Sequence, residues 1–433
     1  MAPSDAWGHN TAWYSTSKGS DVTAFPIERV RSQFPALSTP AVFLDNPAGT
    51  QVPRSVIEAV SAAMAAGASN TGGYFQASVH AEAIVARAHD AMAELLGAAS
   101  GREIVIGQSM TMLTFQISRS LGREWNAGDE IIVTRMDHEG NVSPWLKLAE
   151  ERGLSVRWLP INRDSWRIEP EDLRPLLSNK TRLLALNYAS NMTGSINPVA
   201  ELTSLAKDAG ALVYVDAVQF VPHRLADVAA LGCDFLACSS YKFFGPHLGV
   251  LWGRDKLLSD LYAFAVRCGP EAPPGRHETG TPQTELFAGL AAAVDYWVWL
   301  GEQTGAGGTR REKIRGAYQA AEDYEMPLTQ RLIQGLLAIP DVQIRGVSKT
   351  HSLTERVPTV SINHPGHRSS TLARALAQEG INVWSGHNYA FELAKHLGLD
   401  EEGVLRIGLA HYNTAAEVDR IVQSLKVLLQ ARA

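Results

Sequence analysis

Two side chains suited to carbon–nitrogen chemistry stand at the ends of two apolar runs. Val213-Tyr-Val-Asp216 closes on a carboxylate, and Phe235-Leu-Ala-Cys-Ser239-Ser-Tyr241-Lys242 closes on an amine. Apolar, β-branched or aromatic runs that end abruptly in polar residues read as buried parallel strands, which deliver chemistry at their carboxyl ends. Lys242 is followed by Phe-Phe-Gly-Pro, an apolar setting that lowers an ammonium pKa toward neutrality, as a Schiff-base lysine requires. Asp216 could pair with a protonated ring nitrogen, but an aspartate so placed also suits a helix N-cap or a metal ligand, and a lone lysine is ordinarily solvated.

Further polar clusters fall at the ends of neighbouring runs. Gly107-Gln108-Ser109-Met110-Thr111 lies between a predicted strand and an amphipathic helix, where backbone N–H groups and a hydroxyl could cradle a phosphate. Asp137-His138-Glu139 and Asn187-Tyr-Ala-Ser-Asn191-Met-Thr-Gly194 close two more strands, and Gln219 follows Asp216 by three positions.

The pattern Asp216-x-x-Gln219, then Ser239-x-Tyr241-Lys242-x-x-Gly245-Pro246, resembles the pyridoxal-phosphate (PLP) enzymes of fold type I. Within them it resembles the class V aminotransferase and cysteine desulfurase group, differing at one position, where Tyr241 replaces a histidine. The resemblance implies PLP as cofactor, with Lys242 in Schiff-base linkage and His138 stacked on the ring as a proton relay. It further implies Asn191 and Gln219 on the phenolic oxygen, Asp216 on the ring nitrogen, and Ser109, Met110, Ser239 and Tyr241 about the phosphate. Thr281, in Thr279-Gly-Thr-Pro, matches a threonine that reaches the phosphate of the neighbouring subunit, implying a homodimer. Arg406, in Val-Leu-Arg-Ile-Gly, matches the arginine that grips a substrate α-carboxylate. Phe43-Leu-Asp-Asn-Pro-Ala-Gly49 sits where the family has a segment lining the active-site mouth.

One departure bears on the reaction. Desulfurases carry their nucleophile in a loop resembling Arg-Thr-Gly-His-His-Cys-Ala, and the corresponding stretch here is Trp384-Ser-Gly-His387-Asn-Tyr389-Ala. A phenol cannot accept sulfur from cysteine. The expectation is a PLP-dependent lyase or transferase acting at Cα or Cβ of an amino acid through the Lys242 Schiff base and a quinonoid. β-Elimination, C–S lysis, epimerisation and decarboxylating C–C chemistry all belong to that class. Trp384, His387, Tyr389 and Tyr74 are the candidates for selecting the substrate. A desulfurase using Cys268 and a non-catalytic PLP-binding or scaffold protein are the alternatives.

Positioning these groups requires an α/β framework. From Glu103 to Trp252 the chain alternates strand and helix, with strands predicted at 103–106, 130–134, 155–159, 183–187, 212–215, 234–238 and 249–252; this argues for a mostly parallel seven-stranded sheet covered by helices. The predicted organisation is a flexible segment 1–24, a large PLP-binding domain 25–300 whose N-terminal part contributes to the small domain, and a small α+β domain 301–433. Strands are predicted in the latter near 342–345, 359–363, 383–384 and 404–408, and a short strand is predicted over 42–45. A helical stretch 321–337 is expected, kinked or begun by Pro327, and Thr414 with Glu417 forms a capping-box signature for the last helix.

Composition agrees with this picture. The 433 residues are 45% hydrophobic with a net charge of −6 and no basic stripe, so nucleic acid is not an expected partner. No run approaches the ~18 apolar residues of a membrane span, and residues 1–20 lack an apolar leader core. Three cysteines show no CxxC or metal-ligand spacing, so no metal site, a reducing compartment and a cytoplasmic location are expected, with Cys233 and Cys238 as inert core thiols.

Overall fold

The computed structural model describes residues 25–430 apart from residue 68; the segment expected to be flexible, 1–24, lies outside them. Thirteen strands are β1 Val42–Phe43, β2 Ile104–Gly107, β3 Glu130–Thr134, β4 Ser155–Leu159, β5 Thr181–Asn187, β6 Leu212–Asp216, β7 Phe235–Ser239, β8 Gly249–Gly253, β9 Gln343–Arg345, β10 Thr359–Asn363, β11 Ile381–Asn382, β12 Trp384–Gly386 and β13 Val404–Gly408. Seven of them form one sheet in the order β2-β8-β7-β6-β5-β3-β4. Only β8 runs antiparallel to its neighbours, so the mostly parallel sheet is as expected. Alternate residues of each central strand feed two apolar layers: Val213 and Val215 pack on one side of β6 and Tyr214 on the other. Such two-sided burial is why these strands read as continuous apolar runs. Register aligns Asn187 with Asp216 and Asp216 with Ala237, which brings the carboxyl ends of β5, β6 and β7 side by side.

A second sheet, β12-β13-β10-β9, is antiparallel throughout. One face packs on the helices Ser369–Gln378 and Ala415–Gln430 and on the end of the helix Arg310–Leu337, through Val360, Ile362, Leu405, Leu332, Leu372 and Ile421. Val42 and Leu44 join this cluster, because β1 pairs in parallel with β11. The last helix has the expected box: the Thr414 N–H donates to Glu417 (2.9 Å) and the Glu417 N–H to Thr414 Oγ1 (3.3 Å).

Three local expectations are corrected. The predicted strand at 383–384 is two short strands that serve different partners, β11 on β1 and β12 on β13. The helix expected at 321–337 begins at Arg310, capped by Thr309 and Glu312, and Pro327 lies inside it. A proline costs one N–H bond and a clash, here outweighed by a 28-residue helix packed along its length. Finally, the strand expected over 42–45 is only two residues long, with Asp45 bridging separately to Gly408.

Candidate active site

Lys242 ends a single 3-10 turn, Ser240–Lys242, that follows β7. The fully buried Phe243 and Phe244 pin the chain behind it, and its Nζ donates to the carbonyl of Pro47. Burial, then the charge of Arg406, pull the amine down to about 7 against the opposing pull of Asp216. Burial likewise pushes Asp216 up to about 6, opposed by the Val218 N–H donating to its Oδ1 (2.9 Å) and by Lys242. The Gly140 N–H donates to His138 Nδ1 (2.9 Å), so the neutral ring carries its proton on Nε2. Burial, then Lys242 and Arg406, draw that ring down to about 4. Beneath it Asp137 is clasped by Thr134, by Asn141 Nδ2 (2.6 Å) and by the Asn187 N–H (3.0 Å), and Trp145 Nε1 holds Asn141 (3.1 Å).

The cradle predicted at Ser109-Met110 is the start of the helix Met110–Gly122, with Ser109 as N-cap accepting from the Met112 N–H (3.2 Å). Gly249 faces it, opposite Gly107 on one side and Ser239 on the other. A Cβ on Gly249 would fall 2.2 Å from the Ser109 carbonyl carbon and 2.3 Å from the Met110 nitrogen, so only glycine permits this approach. Tyr241 stacks on His247 with ring centroids 4.7 Å apart, and Lys242 Nζ lies 5.0 Å from the Tyr241 ring centre. Thr281 stands apart, lining a cleft of about 790 Å³ with Gln108, Met112 and Phe264.

The second sheet closes the site. Arg406 of β13 donates through Nη1 to the Asn191 carbonyl (2.9 Å). Asn191 Nδ2 donates to the Asn388 carbonyl (2.6 Å), and Gln219 Nε2 to Thr359 Oγ1 (3.1 Å). Among the described residues Asn191 Oδ1, Gln219 Oε1, Arg406 Nε and Asp45 Oδ1 are buried without a hydrogen-bond partner, which is the signature of a polar ligand's place. Two amides, a buried carboxylate, a near-neutral amine and a helix-start cradle are complementary to the phenol, ring nitrogen, aldehyde and phosphate of PLP; the residues fit that group.

Trp384 is the direct cross-strand partner of Arg406. Gly386 at the end of β12 and Asn388 and Tyr389 in the loop that follows have left-handed backbone, and the Glu139 N–H ties the loop down through the Tyr389 carbonyl (2.8 Å). Tyr389 stacks on His138 with centroids 5.3 Å apart and planes 29° apart, and His387 meets Tyr389 edge-on at 6.1 Å. Tyr74 is not brought into this group; it is fully exposed ahead of the helix Gln76–Leu96. Cys268 is exposed, whereas Cys233 and Cys238 are buried and their thiols pushed up, that of Cys233 to about 12.

Some positioning residues carry no sequence signal of their own. Carbonyls 191 to 194 are held in turn by Arg406, by Ser361 Oγ on Met192, by Arg356 Nη2 (3.3 Å to Thr193) and by the Val357 N–H (2.8 Å to Gly194). Asn46, hydrogen-bonded to Tyr412 and through Nδ2 to the Gly408 carbonyl (2.9 Å), fixes the Pro47 carbonyl that meets Lys242. Asn46 and Pro47 lie in the Phe43–Gly49 segment expected to line the site's mouth, whereas their tie to Tyr412 shows only in the structure.

The profile of the family described as aminotransferase class-V matches residues 42–421. An aminotransferase-like protein, FGM3, of Gibberella zeae is 33% identical over 416 residues, spanning 94% of this chain and 99% of its own length. A cysteine desulfurase of Serratia proteamaculans is 34% identical over 423 residues, spanning 93% and 98%. Among solved structures, the cysteine desulfurase CsdA of Escherichia coli superposes with a TM-score of 0.82 at 28% identity, covering 95% of this chain and all of that one. The apo cysteine desulfurase of Thermococcus onnurineus gives 0.84 at 27% identity, covering 93% and 98%. The chain belongs to the aminotransferase class-V family and is a pyridoxal-phosphate-dependent enzyme of fold type I.

Proposed function

We propose that this enzyme is a lyase or transferase that binds an amino acid by its α-carboxylate and acts at Cα or Cβ without a cysteine nucleophile. The observation that carries the reading is the Lys242 amine, drawn to about 7 between Asp216 and Arg406, beside a loop that presents a tyrosine to His138. When bound, pyridoxal phosphate supplies an electron sink for charge developing at the substrate Cα. Ser109, Met110, Ser239 and Tyr241 would hold its phosphate, Asn191 and Gln219 its phenolic oxygen, Asp216 its ring nitrogen and Lys242 its aldehyde. Lys242, half neutral near pH 7, takes and returns a proton at Cα. His138 stays neutral, presents its face to the ring and can pass a proton from Nε2. Arg406 offers its unpartnered Nε to the substrate carboxylate. The reaction class comprises β-elimination, C–S lysis, epimerisation and decarboxylating C–C chemistry.

The same reading makes the enzyme a homodimer in which Thr281 reaches the neighbouring copy's phosphate site. The open cleft at Thr281 and the exposed Tyr262, Phe264 and Val266 near it support this. A second reading, a desulfurase acting through Cys268, is favoured by the names of the relatives and by the exposure of that thiol.

The test is to load the enzyme with pyridoxal phosphate, mix it with each amino acid, L-cysteine included, and identify products by mass spectrometry. The proposal expects turnover that survives Cys268→Ala and is lost in Lys242→Ala. Sulfur transfer from cysteine that disappears in Cys268→Ala supports the second reading instead. A protein that gains no visible absorption with pyridoxal phosphate refutes both.

A further inference from the structure

We infer that the substrate is an amino acid with a planar, uncharged side chain, lodged between Trp384 and Tyr389; this rests on the reading of the site given above. Register carries the first step. Trp384, Arg406 and Ser361 are successive cross-strand partners in β12, β13 and β10, and such partners project from the same face of a sheet with Cβ atoms roughly 5 Å apart. Arg406 and Ser361 on that face reach the Asn191 and Met192 carbonyls of the large domain. Trp384 therefore projects toward the site, next to the guanidinium that grips the carboxylate.

The second wall is Tyr389. Its backbone is fixed through the Glu139 N–H on its carbonyl and by its own N–H donating to His387 Nδ1 (3.0 Å), and its ring lies against His138. Trp384 is 51% and Tyr389 65% exposed, although Trp384 pairs with the fully buried strand β13 and Tyr389 is followed by the buried Ala390. Large rings left uncovered beside a site mark what a ligand covers.

Charge gives the third step. The loop Trp384-Ser-Gly-His-Asn-Tyr-Ala-Phe391 contains no Asp, Glu, Lys or Arg, and His387 already accepts the Tyr389 N–H on Nδ1, so its walls hold no fixed charge to pair with a charged side chain. Arg406 has already given Nη1 to the Asn191 carbonyl, leaving its other nitrogens for one carboxylate. Trp384 adjoins Arg406 in the sheet, and Asn191 links Arg406 to the Asn388 carbonyl just ahead of Tyr389, so a substrate gripped by its α-carboxylate lies among the elements that carry both rings. A methyl or hydroxymethyl group would leave them wet, whereas a phenyl or indole ring would stack on them.

The experiment titrates the pyridoxal-phosphate-loaded enzyme with L-phenylalanine, L-tryptophan, L-alanine, L-serine and L-aspartate, reading half-saturation from the change in visible absorbance. The aromatic pair is expected to half-saturate at concentrations at least about tenfold below L-alanine, and L-aspartate at the highest. Trp384→Ala should raise the half-saturating concentrations of L-phenylalanine and L-tryptophan by about tenfold, abolishing the aromatic preference, and Trp384→Phe should restore it. Equal half-saturation by small and aromatic amino acids, or a preference that survives Trp384→Ala, overturns this inference alone. If no amino acid changes the spectrum of an enzyme that has taken up pyridoxal phosphate, the proposed function fails and this inference with it.

Discussion

The reactivity of Lys242 can be measured in the cofactor-free enzyme, and its pH dependence follows from the site's geometry. An ordinary lysine at 10.5 is neutral in roughly one molecule in 3,000 at pH 7, whereas an amine drawn to about 7 is neutral in about half. The gain in neutral amine is thus about a thousandfold, although a less basic nitrogen is intrinsically a weaker nucleophile, so the midpoint is more diagnostic than the amplitude. The assay is trace labelling with a small amine-reactive aryl fluoride from pH 5.5 to 10.5, quantifying the Lys242 peptide by mass spectrometry. Lys256, whose ion pair with Asp260 holds its amine above the ordinary value, is the internal control. Labelling of Lys242 should rise tenfold per pH unit, level off near pH 7, and leave Lys256 still rising. The two charges that shape this amine act oppositely: Arg406 lowers its pKa and Asp216 raises it. Arg406→Gln should accordingly move the midpoint up and Asp216→Asn should move it down. A wild-type midpoint near 10, or two variants shifting in one direction, would refute the electrostatic reasoning on which the catalytic reading rests.

Asp216 also leaves a mark on stability. Its folded pKa, about 6, lies above the ordinary 3.8, so the folded chain keeps a proton that the unfolded chain has lost. Its stabilising contribution is present below pH 4 and disappears as pH rises to 6. Urea unfolding of the cofactor-free Asp216→Asn variant should lack up to about 3 kcal/mol of that fall. Gly249→Ala drives a methyl into the Ser109-Met110 backbone and should weaken pyridoxal phosphate binding by about tenfold or more, read by absorbance titration, with secondary structure retained in circular dichroism. Arg406→Leu should raise the concentration of amino acid needed for half-saturation by about a hundredfold, as expected when a buried charge is removed from beneath a carboxylate, while the loaded enzyme keeps its absorbance. Thr359→Val removes the oxygen that accepts from Gln219 and should shift the pH titration of the loaded enzyme's visible band; Thr359→Ser should restore it.

What could be read from the sequence, and what could not, divides along physical lines. The central strands of the large sheet were legible because burial on both faces writes an apolar run, the edge strand β4 because exposed and covered residues alternate along it, and Asp216, Ser239 and Lys242 because the central runs end at the site. β1, β11 and β12, two or three residues long, are set by their partners, since so short a strand has no periodicity. Pro327 misled because local propensity ignores a helix packed along its length on two apolar clusters. Arg356 was invisible for a related reason. Fully buried, it is held by carbonyls, among them those of Val347 and Thr193, and the adjacent Glu355 pairs with Arg167 instead, so no local charge pattern announces that place.

The loop from Trp384 to Tyr389 combines both situations. Its letters put Tyr389 where the resembling desulfurase loop has a cysteine, and the proposed loss of the sulfur acceptor rests on that substitution. What replaces it emerges only when β12 pairs with β13, setting Trp384 beside Arg406, and when the left-handed backbone at Asn388 and Tyr389 turns a phenol ring onto His138. Neither residue is buried enough to be core, and neither carries a charge that would suit open water. If the rings served packing alone, Tyr389→Ala would lower the melting temperature and leave amino acid selection unchanged. If they form the side-chain pocket, the same variant should flatten selection between aromatic and small amino acids while the melting temperature moves little, because a ring 65% exposed contributes little buried area.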